Sequence, residues 1–302
     1  MKVLVSDGIE KIGSEKLKNA GFEVVEKKLT PEQLLEEINE YHAIIVRSAT
    51  KVTKEVIDAG VNLKCIARGG VGLDNIDVAY AKQKGIPVLN TPGASSISVA
   101  ELAIAHMFAL SRFLHRSNTE MREGKWPKKD YSKGIELTGK TLGIIGFGNI
   151  GKEVAKRSLG LCMDVVAYDP FVKETDMNVK LVSMDDLLAQ SDFITLHIPF
   201  IKENGPTITA KEFAKMKDGV ILIDCARGKV VVEKDLLEAL NSGKVAKAAL
   251  DVFEVEPPTE AQSALINHPN VSVTPHIGAS TVEAQDRVGD EIAGKVIAAL
   301  KG

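Results

Sequence analysis

The chain has 302 residues, 44% hydrophobic and 26% charged, enough for two globular domains that each bury a core. Its net charge of −3 argues against a nucleic-acid partner, and no apolar run reaches the ~20 residues of a membrane span. Asp7 interrupts the first apolar stretch too soon for a signal peptide, and Cys65, Cys162 and Cys225 form no CxxC pair, so a cytoplasmic protein without structural zinc is expected.

In chain order, "KVLVSD" predicts a strand and "SEKLKNAG" a helix. "FEVVE" and "TPEQLLEEINE" repeat the pair, with Thr30-Pro31 and Glu32 marking a capped helix start. "HAIIVRSA", "KEVIDAG" and "KCIAR" continue as strand, helix and strand, a pattern that predicts a parallel sheet wrapped by helices. "RGGVGLDNID" (68–77) lacks a third glycine at dinucleotide spacing. With Asp74-Asn75 as a turn, it reads as a loop whose backbone faces a ligand. Residues 94–114 predict one long helix, apolar over most of its circumference and therefore buried against another domain or subunit. A polar stretch follows, and from Thr141 a second strand–helix series begins. Its strands are "TLGIIG", "DVVAYD", "FITLHIP", "GVILIDC", "KAALDV" and "VSVTPH", and "TVEAQDRVGDEIAGKVIAALK" closes the chain as a helix. The last helix can belong with the first series if a second domain is inserted between crossings near 93 and 277; spacing alone leaves that open.

Gly146, Gly148 and Gly151 stand in GxGxxG spacing between a strand and a helix. Such a turn lets backbone approach a pyrophosphate, and the helix N-terminus offers it free N–H groups. "DVVAYD" ends in Asp169, 18 positions beyond Gly151. A carboxylate there accepts hydrogen bonds from both ribose hydroxyls and repels a 2′-phosphate, which predicts NAD over NADP.

Three polar residues end successive strands of the second series: Arg227 after "GVILIDCA", Glu256 after "AALDVFEV" and His276 after "VSVTP". Strand C-terminal ends are where open parallel sheets bind ligands. An arginine forks onto a carboxylate, and a glutamate paired with an imidazole favours its charged form. A single arginine or glutamate is more often a solvated surface group. His42, His106, His115 and His268 lack such neighbours and are expected to be structural; His197, in "LHIP", is assigned to packing.

"GFGNIG", "YDP", "HIPF", "DCARG", "ALDVFEVEPP" and "TPHIGAST" together resemble the NAD-dependent D-2-hydroxyacid dehydrogenases. "AIIVRSATKVTKEVI" and "ARGGVGLDNIDVAYAKQKGIPVLNTPGASSISVAEL" are similar to the branch of that family acting on phosphoglycerate, and the likeness covers nearly the whole chain. It implies an α/β fold of two Rossmann-like, flavodoxin-like doubly wound parallel-sheet domains. Residues 1–92 plus 278–302 would form the substrate-binding domain, and 93–277 an inserted NAD-binding domain. The resemblance makes Arg227, Glu256 and His276 catalytic. It places Gly146, Gly148, Asn149, Ile150, Gly151, Asp169, Ile198, Pro199, Asn204, Cys225, Ala226, Asp251 and Gly278 on cofactor positions, Asp251 near the nicotinamide carboxamide. Arg47, Gly70, Val71 and Asn75, with Arg227 and His276, fall on the substrate side, and no metal is implied. A homodimer through the 94–114 helix is implied as well. The chain departs from the family pattern at Lys229, usually glycine, at Val232, usually Asp or Asn, and at Asn204-Gly205 in place of a threonine-containing turn.

The implied reaction oxidises 3-phosphoglycerate to 3-phosphohydroxypyruvate, as in serine synthesis. Arg227 would clamp the carboxylate and polarise the C2 oxygen, while His276, held by Glu256, takes the hydroxyl proton as hydride leaves C2 for the nicotinamide. Domain closure would exclude water. Arg47 is the first choice for the phosphate, with Lys128 and Lys129 as contributors from a second subunit. The alternatives are a glyoxylate, hydroxypyruvate or D-lactate reductase of the same chemistry and, from another class, a dinucleotide-sensing binding protein, since transcriptional corepressors share the scaffold.

Overall fold

The computed structural model describes residues 1–302, and the chain divides into two compact units, Met1–Ser96 with Ala279–Gly302, and Ile97–Gly278. The first unit opens with β1 (Lys2–Val5), α1 (Lys11–Asn19), β2 (Glu23–Glu26), α2 (Pro31–Glu37) and β3 (Ala43–Val46). It continues through α3 (Lys54–Ala59), β4 (Cys65–Arg68), α4 (Val78–Gln83) and β5 (Val88–Leu89). All five strands are parallel, in the order β2-β1-β3-β4-β5. The central β3, Ala-Ile-Ile-Val, is buried at every residue, as a parallel strand covered on both faces requires. Thr30 starts α2 through a reciprocal cap: its hydroxyl accepts from Gln33 N at 3.3 Å, and the Gln33 side chain accepts from Thr30 N at 3.0 Å.

The second unit carries α5 (Ser96–Ser111), α6 (Leu114–Arg122), β6 (Thr141–Ile145), α7 (Asn149–Gly160), β7 (Asp164–Tyr168), β8 (Lys180–Leu181) and α8 (Met184–Gln190). Then come β9 (Phe193–Leu196), α9 (Ala210–Lys215), β10 (Val220–Asp224), α10 (Glu233–Ser242), β11 (Val245–Leu250), α11 (Ser263–Ile266) and β12 (Val271–Val273). Its seven parallel strands lie in the order β12-β11-β10-β9-β6-β7-β8. The chain starts this sheet at β6 and winds outward in both directions, so β6 and β9 flank the switch point where such sheets bind nucleotides. Finally α12 (Val282–Lys301) returns to the first unit and packs on α1. The contact is close enough that a Cβ on Gly13 would stand 2.6 Å from Gly289 O.

One expectation is corrected here. Residues 94–114 are not a single helix: α5 ends at Ser111, Phe113 adopts a left-handed conformation (φ 57°), and α6 departs at 66°. The cause lies on β11, where Lys247 Nζ donates to Leu110 O at 2.6 Å, taking the carbonyl that a continuing helix would give to residue 114. The same ammonium sits 3.7 Å from the Phe113 ring centroid, which favours the turn. Most of α5 is core, with Ala100, Ala103, Met107 and Leu110 fully buried. No single helix is long and apolar enough to cross a membrane.

Candidate active site

The glycine turn joins β6 to α7, and its three glycines have different reasons to be there. Gly146 has φ +94°, and a Cβ on it would lie 2.5 Å from His197 O. A Cβ on Gly151 would lie 2.1 Å from Gly146 O, so helix and turn pack backbone to backbone. Gly148, the N-cap of α7, has nothing within 4 Å of its missing Cβ and leaves the helix N-terminus, Asn149 and Ile150, open. Asp169 follows β7 with both carboxylate oxygens anchored: Oδ2 accepts from Phe147 N and Oδ1 from Phe171 N, each at 2.8 Å. Each oxygen keeps a lone pair for a ribose hydroxyl. An open helix N-terminus beside a fixed carboxylate fits NAD: the first suits a pyrophosphate, the second an unphosphorylated ribose. Ile198 and Pro199 follow β9, and Cys225 and Ala226 follow β10, all at strand ends of this sheet. Asn204 sits exposed in a turn closed by its N–H to Ile201 O at 3.0 Å, with Gly205 at φ +70°.

Arg227, Glu256 and His276 come from the loops after β10, β11 and β12, three neighbours at one edge of the sheet. Gly228 fixes how close the first two loops lie: a Cβ there would be 1.8 Å from Phe253 O, so only glycine fits. Arg227 is partly buried and turns one guanidinium nitrogen onto Ala226 O at 2.7 Å. The Glu256 carboxylate accepts from Phe253 N at 3.1 Å through Oε1 and meets His276 Nδ1 at 2.7 Å through Oε2. His276 is half exposed and held at φ 54°, in the left-handed region that few non-glycine residues enter, though histidine enters it more readily than most.

Asp251 holds His276 there. This buried residue accepts from His276 N through its backbone carbonyl at 2.8 Å. Its carboxylate takes Thr274 Oγ1 at 2.6 Å and the amides of Ile277 and Gly278, each at 2.8 Å. A position that the family resemblance assigns to the cofactor therefore anchors the loop that carries His276. In the sequence Asp251 stands at a strand end, and its amide partners Ile277 and Gly278 lie 26 and 27 positions on, which nothing local could connect.

The electrostatics follow from these contacts. The hydrogen bond that His276 donates to Glu256 raises the His276 pKa above its usual value, against burial, which lowers it. Burial alone would raise Glu256, but the His276 and Phe253 hydrogen bonds and the Arg227 charge outweigh it and hold that carboxyl low. Neighbouring Asp224, inside β10, is pushed up to about 7 by burial, opposed by its bond from Ala226 N at 2.8 Å. His197 is neutral: burial pushes it down to about 3, and its Nε2 pairs with Thr195 Oγ1 at 3.0 Å. His42 and His268 each accept a backbone amide, from Lys2 and Asn270.

The substrate-side residues form a separate group in the first unit. Arg47 donates its amide to Asp7 at 2.8 Å, and its guanidinium hydrogen-bonds Gln285. Asn75 holds that loop by donating to Arg47 O at 2.8 Å and Thr50 O at 2.6 Å. Gly70 has φ +152°, and Val71 O accepts from Asn90 at 2.7 Å. Of the departures, Lys229 is exposed, and Val232 is the N-cap of α10 with no side chain to cap it. Glu254 supplies the missing cap by accepting from Glu233 N at 2.9 Å, and Glu233 returns the bond at 2.7 Å.

Residues 104–278 match the family model for the NAD binding domain of D-isomer specific 2-hydroxyacid dehydrogenases. The chain is 52% identical over 301 residues to the hydroxypyruvate reductase of Thermotoga maritima, covering 99% of this chain and 98% of that protein. It is 50% identical over 306 residues to the D-3-phosphoglycerate dehydrogenase of Archaeoglobus fulgidus, covering 100% of this chain and 58% of that protein. A solved D-lactate dehydrogenase from Aquifex aeolicus, complexed with NAD and lactic acid, matches with a TM-score of 0.87 at 33% identity, over 100% of this chain and 96% of that one. The chain belongs to the D-isomer specific 2-hydroxyacid dehydrogenases, an NAD-dependent family of oxidoreductases.

Proposed function

We propose that this enzyme oxidises D-3-phosphoglycerate to 3-phosphohydroxypyruvate, using Arg227, Glu256 and His276. The observation that carries the chemistry is the Nδ1–Oε2 contact of 2.7 Å between His276 and Glu256. With Nδ1 committed to Glu256, Nε2 is the nitrogen that exchanges a proton with the substrate oxygen. Glu256 stabilises the imidazolium that results and fixes the ring's orientation. Arg227 forks onto the substrate carboxylate and polarises the C2 oxygen. NAD, when bound, supplies the hydride acceptor. In the reverse direction His276 starts protonated and returns its proton to the C2 oxygen. Arg47 and the 70–75 loop are assigned to the substrate, Arg47 to its phosphate.

His276→Ala is expected to lower kcat ~10²-fold or more, the usual worth of general acid–base catalysis. Near-normal turnover of NADH-linked substrates in that variant would remove His276 from the mechanism.

A second reading has its own support: the Thermotoga maritima relative matched over nearly the whole length of both chains is a hydroxypyruvate reductase. The unphosphorylated three-carbon acid is therefore the direct competitor. We also assign a homodimer contact to the exposed apolar side chains of α5 and α6, Ile97, Phe108, Leu114 and Met121, with Trp126 beyond them.

A further inference from the structure

His106 lies on α5 and is 4% exposed, far in sequence from every residue of the acid–base site. Its Nδ1 is 3.2 Å from Ser272 Oγ and its Nε2 is 3.1 Å from Thr274 Oγ1. Thr274 Oγ1 spends its only proton on Asp251 Oδ1 at 2.6 Å, so toward His106 it is an acceptor. His106 Nε2 must then carry the hydrogen, Nδ1 must accept, and Ser272 must donate to it. Burial lowers the His106 pKa, which agrees with a neutral ring. The result is a one-way chain, Ser272 to His106 to Thr274 to Asp251, ending on the carboxylate that holds the amides of Ile277 and Gly278.

We infer that His106 is a positioning residue for the reaction, fixing the loop that presents His276 by orienting Thr274 onto Asp251. The inference rests on the assignment of His276 as acid and base. An apolar residue at 106 would take a partner from the buried Ser272 hydroxyl and from the partly buried Thr274 hydroxyl. Thr274 would be free to turn away from Asp251, and the left-handed conformation of His276 would lose part of what enforces it. His106 is buried with both ring nitrogens on Ser272 and Thr274, so its loss is expected to act on turnover and not on substrate affinity.

The test uses His106→Leu, His106→Gln, Thr274→Val and the Leu/Val double variant, with kcat, KM and melting temperature measured for each. Amide hydrogen exchange at Ile277 and Gly278 is followed alongside. His106→Leu is expected to lower kcat roughly five-fold with KM unchanged, the size of one lost buried hydrogen bond, and to speed exchange at both amides by a similar factor. Gln places a donor where Nε2 stood and restores both, while Thr274→Val gives the same loss and the double variant no more. A His106→Leu protein with a lower melting temperature but wild-type kcat and exchange would overturn the inference, leaving His106 as core packing. Losses that multiply in the double variant would also overturn it. The exchange arm separates this failure from that of the acid–base reading: a fully active His276→Ala would sink the latter, whatever the amides do.

Discussion

At the scale of single residues, the proposed acid–base role makes the Glu256–His276 pair the group that sets how activity depends on pH. Its hydrogen bond raises the His276 pKa, and burial works the other way. Oxidation needs neutral His276, so its rate falls as pH drops through the raised pKa; reduction needs the imidazolium and falls as pH rises through it. In Glu256→Gln the raising contact is gone and burial dominates. The expected outcome is that both limbs move to lower pH, measured as kcat/KM against pH in each direction; unmoved limbs would mean that Glu256 does not set the basicity of His276. Stability depends on pH as well. The raised His276 pKa contributes stability that is complete below the unfolded histidine pKa and lost as pH rises through the folded one. The lowered Glu256 pKa contributes stability that is lost as pH falls through its folded value. The strand-end positions of Arg227, Glu256 and His276 were legible in the sequence. Asp251's grip on the 274–278 loop was not, nor was the replacement of the α10 cap by Glu254, because each depends on a partner more than twenty positions away.

At the scale of elements, the β6–turn–α7 unit is where glycine is a steric demand. In Gly151→Ala the added Cβ would lie 2.1 Å from Gly146 O, so α7 must shift off β6. The expected cost is about 1–3 kcal/mol of stability, as for overpacking a tight contact, with weaker NAD binding as the helix N-terminus moves. Gly160 in the same helix has nothing within 4 Å of its missing Cβ. Gly160→Ala should therefore leave NAD binding unchanged and stability equal or higher by up to ~1 kcal/mol. Calorimetric unfolding and NAD titration check both, and equal behaviour of the two variants would refute the steric argument. Strand–helix alternation was readable throughout because parallel strands buried on both faces are short apolar runs. The break between α5 and α6 was hidden because its cause, Lys247 on β11, is 137 residues from the carbonyl it takes. Local apolarity carried the prediction straight through the bend.

At the scale of the whole molecule, the doubly wound sheets and the family were legible because the long motifs cover nearly the entire chain. Substrate choice is less visible, since hydroxypyruvate reductase and phosphoglycerate dehydrogenase relatives match at 52% and 50% identity. In the proposed mechanism Arg227, Glu256 and His276 would serve either acid equally, so discrimination would come from cations that reach a phosphate. A partly buried arginine such as Arg47, whose guanidinium meets only the neutral Gln285 side chain, suits such a task. The most direct test is kcat/KM measured by NADH absorbance, comparing D-3-phosphoglycerate with D-glycerate in the oxidative direction. The account predicts a preference of at least about 10²-fold for the phosphorylated acid, the size expected when a buried charged group loses its partner. Equal efficiency, or a preference for D-glycerate, would contradict it and assign the enzyme to hydroxypyruvate reduction.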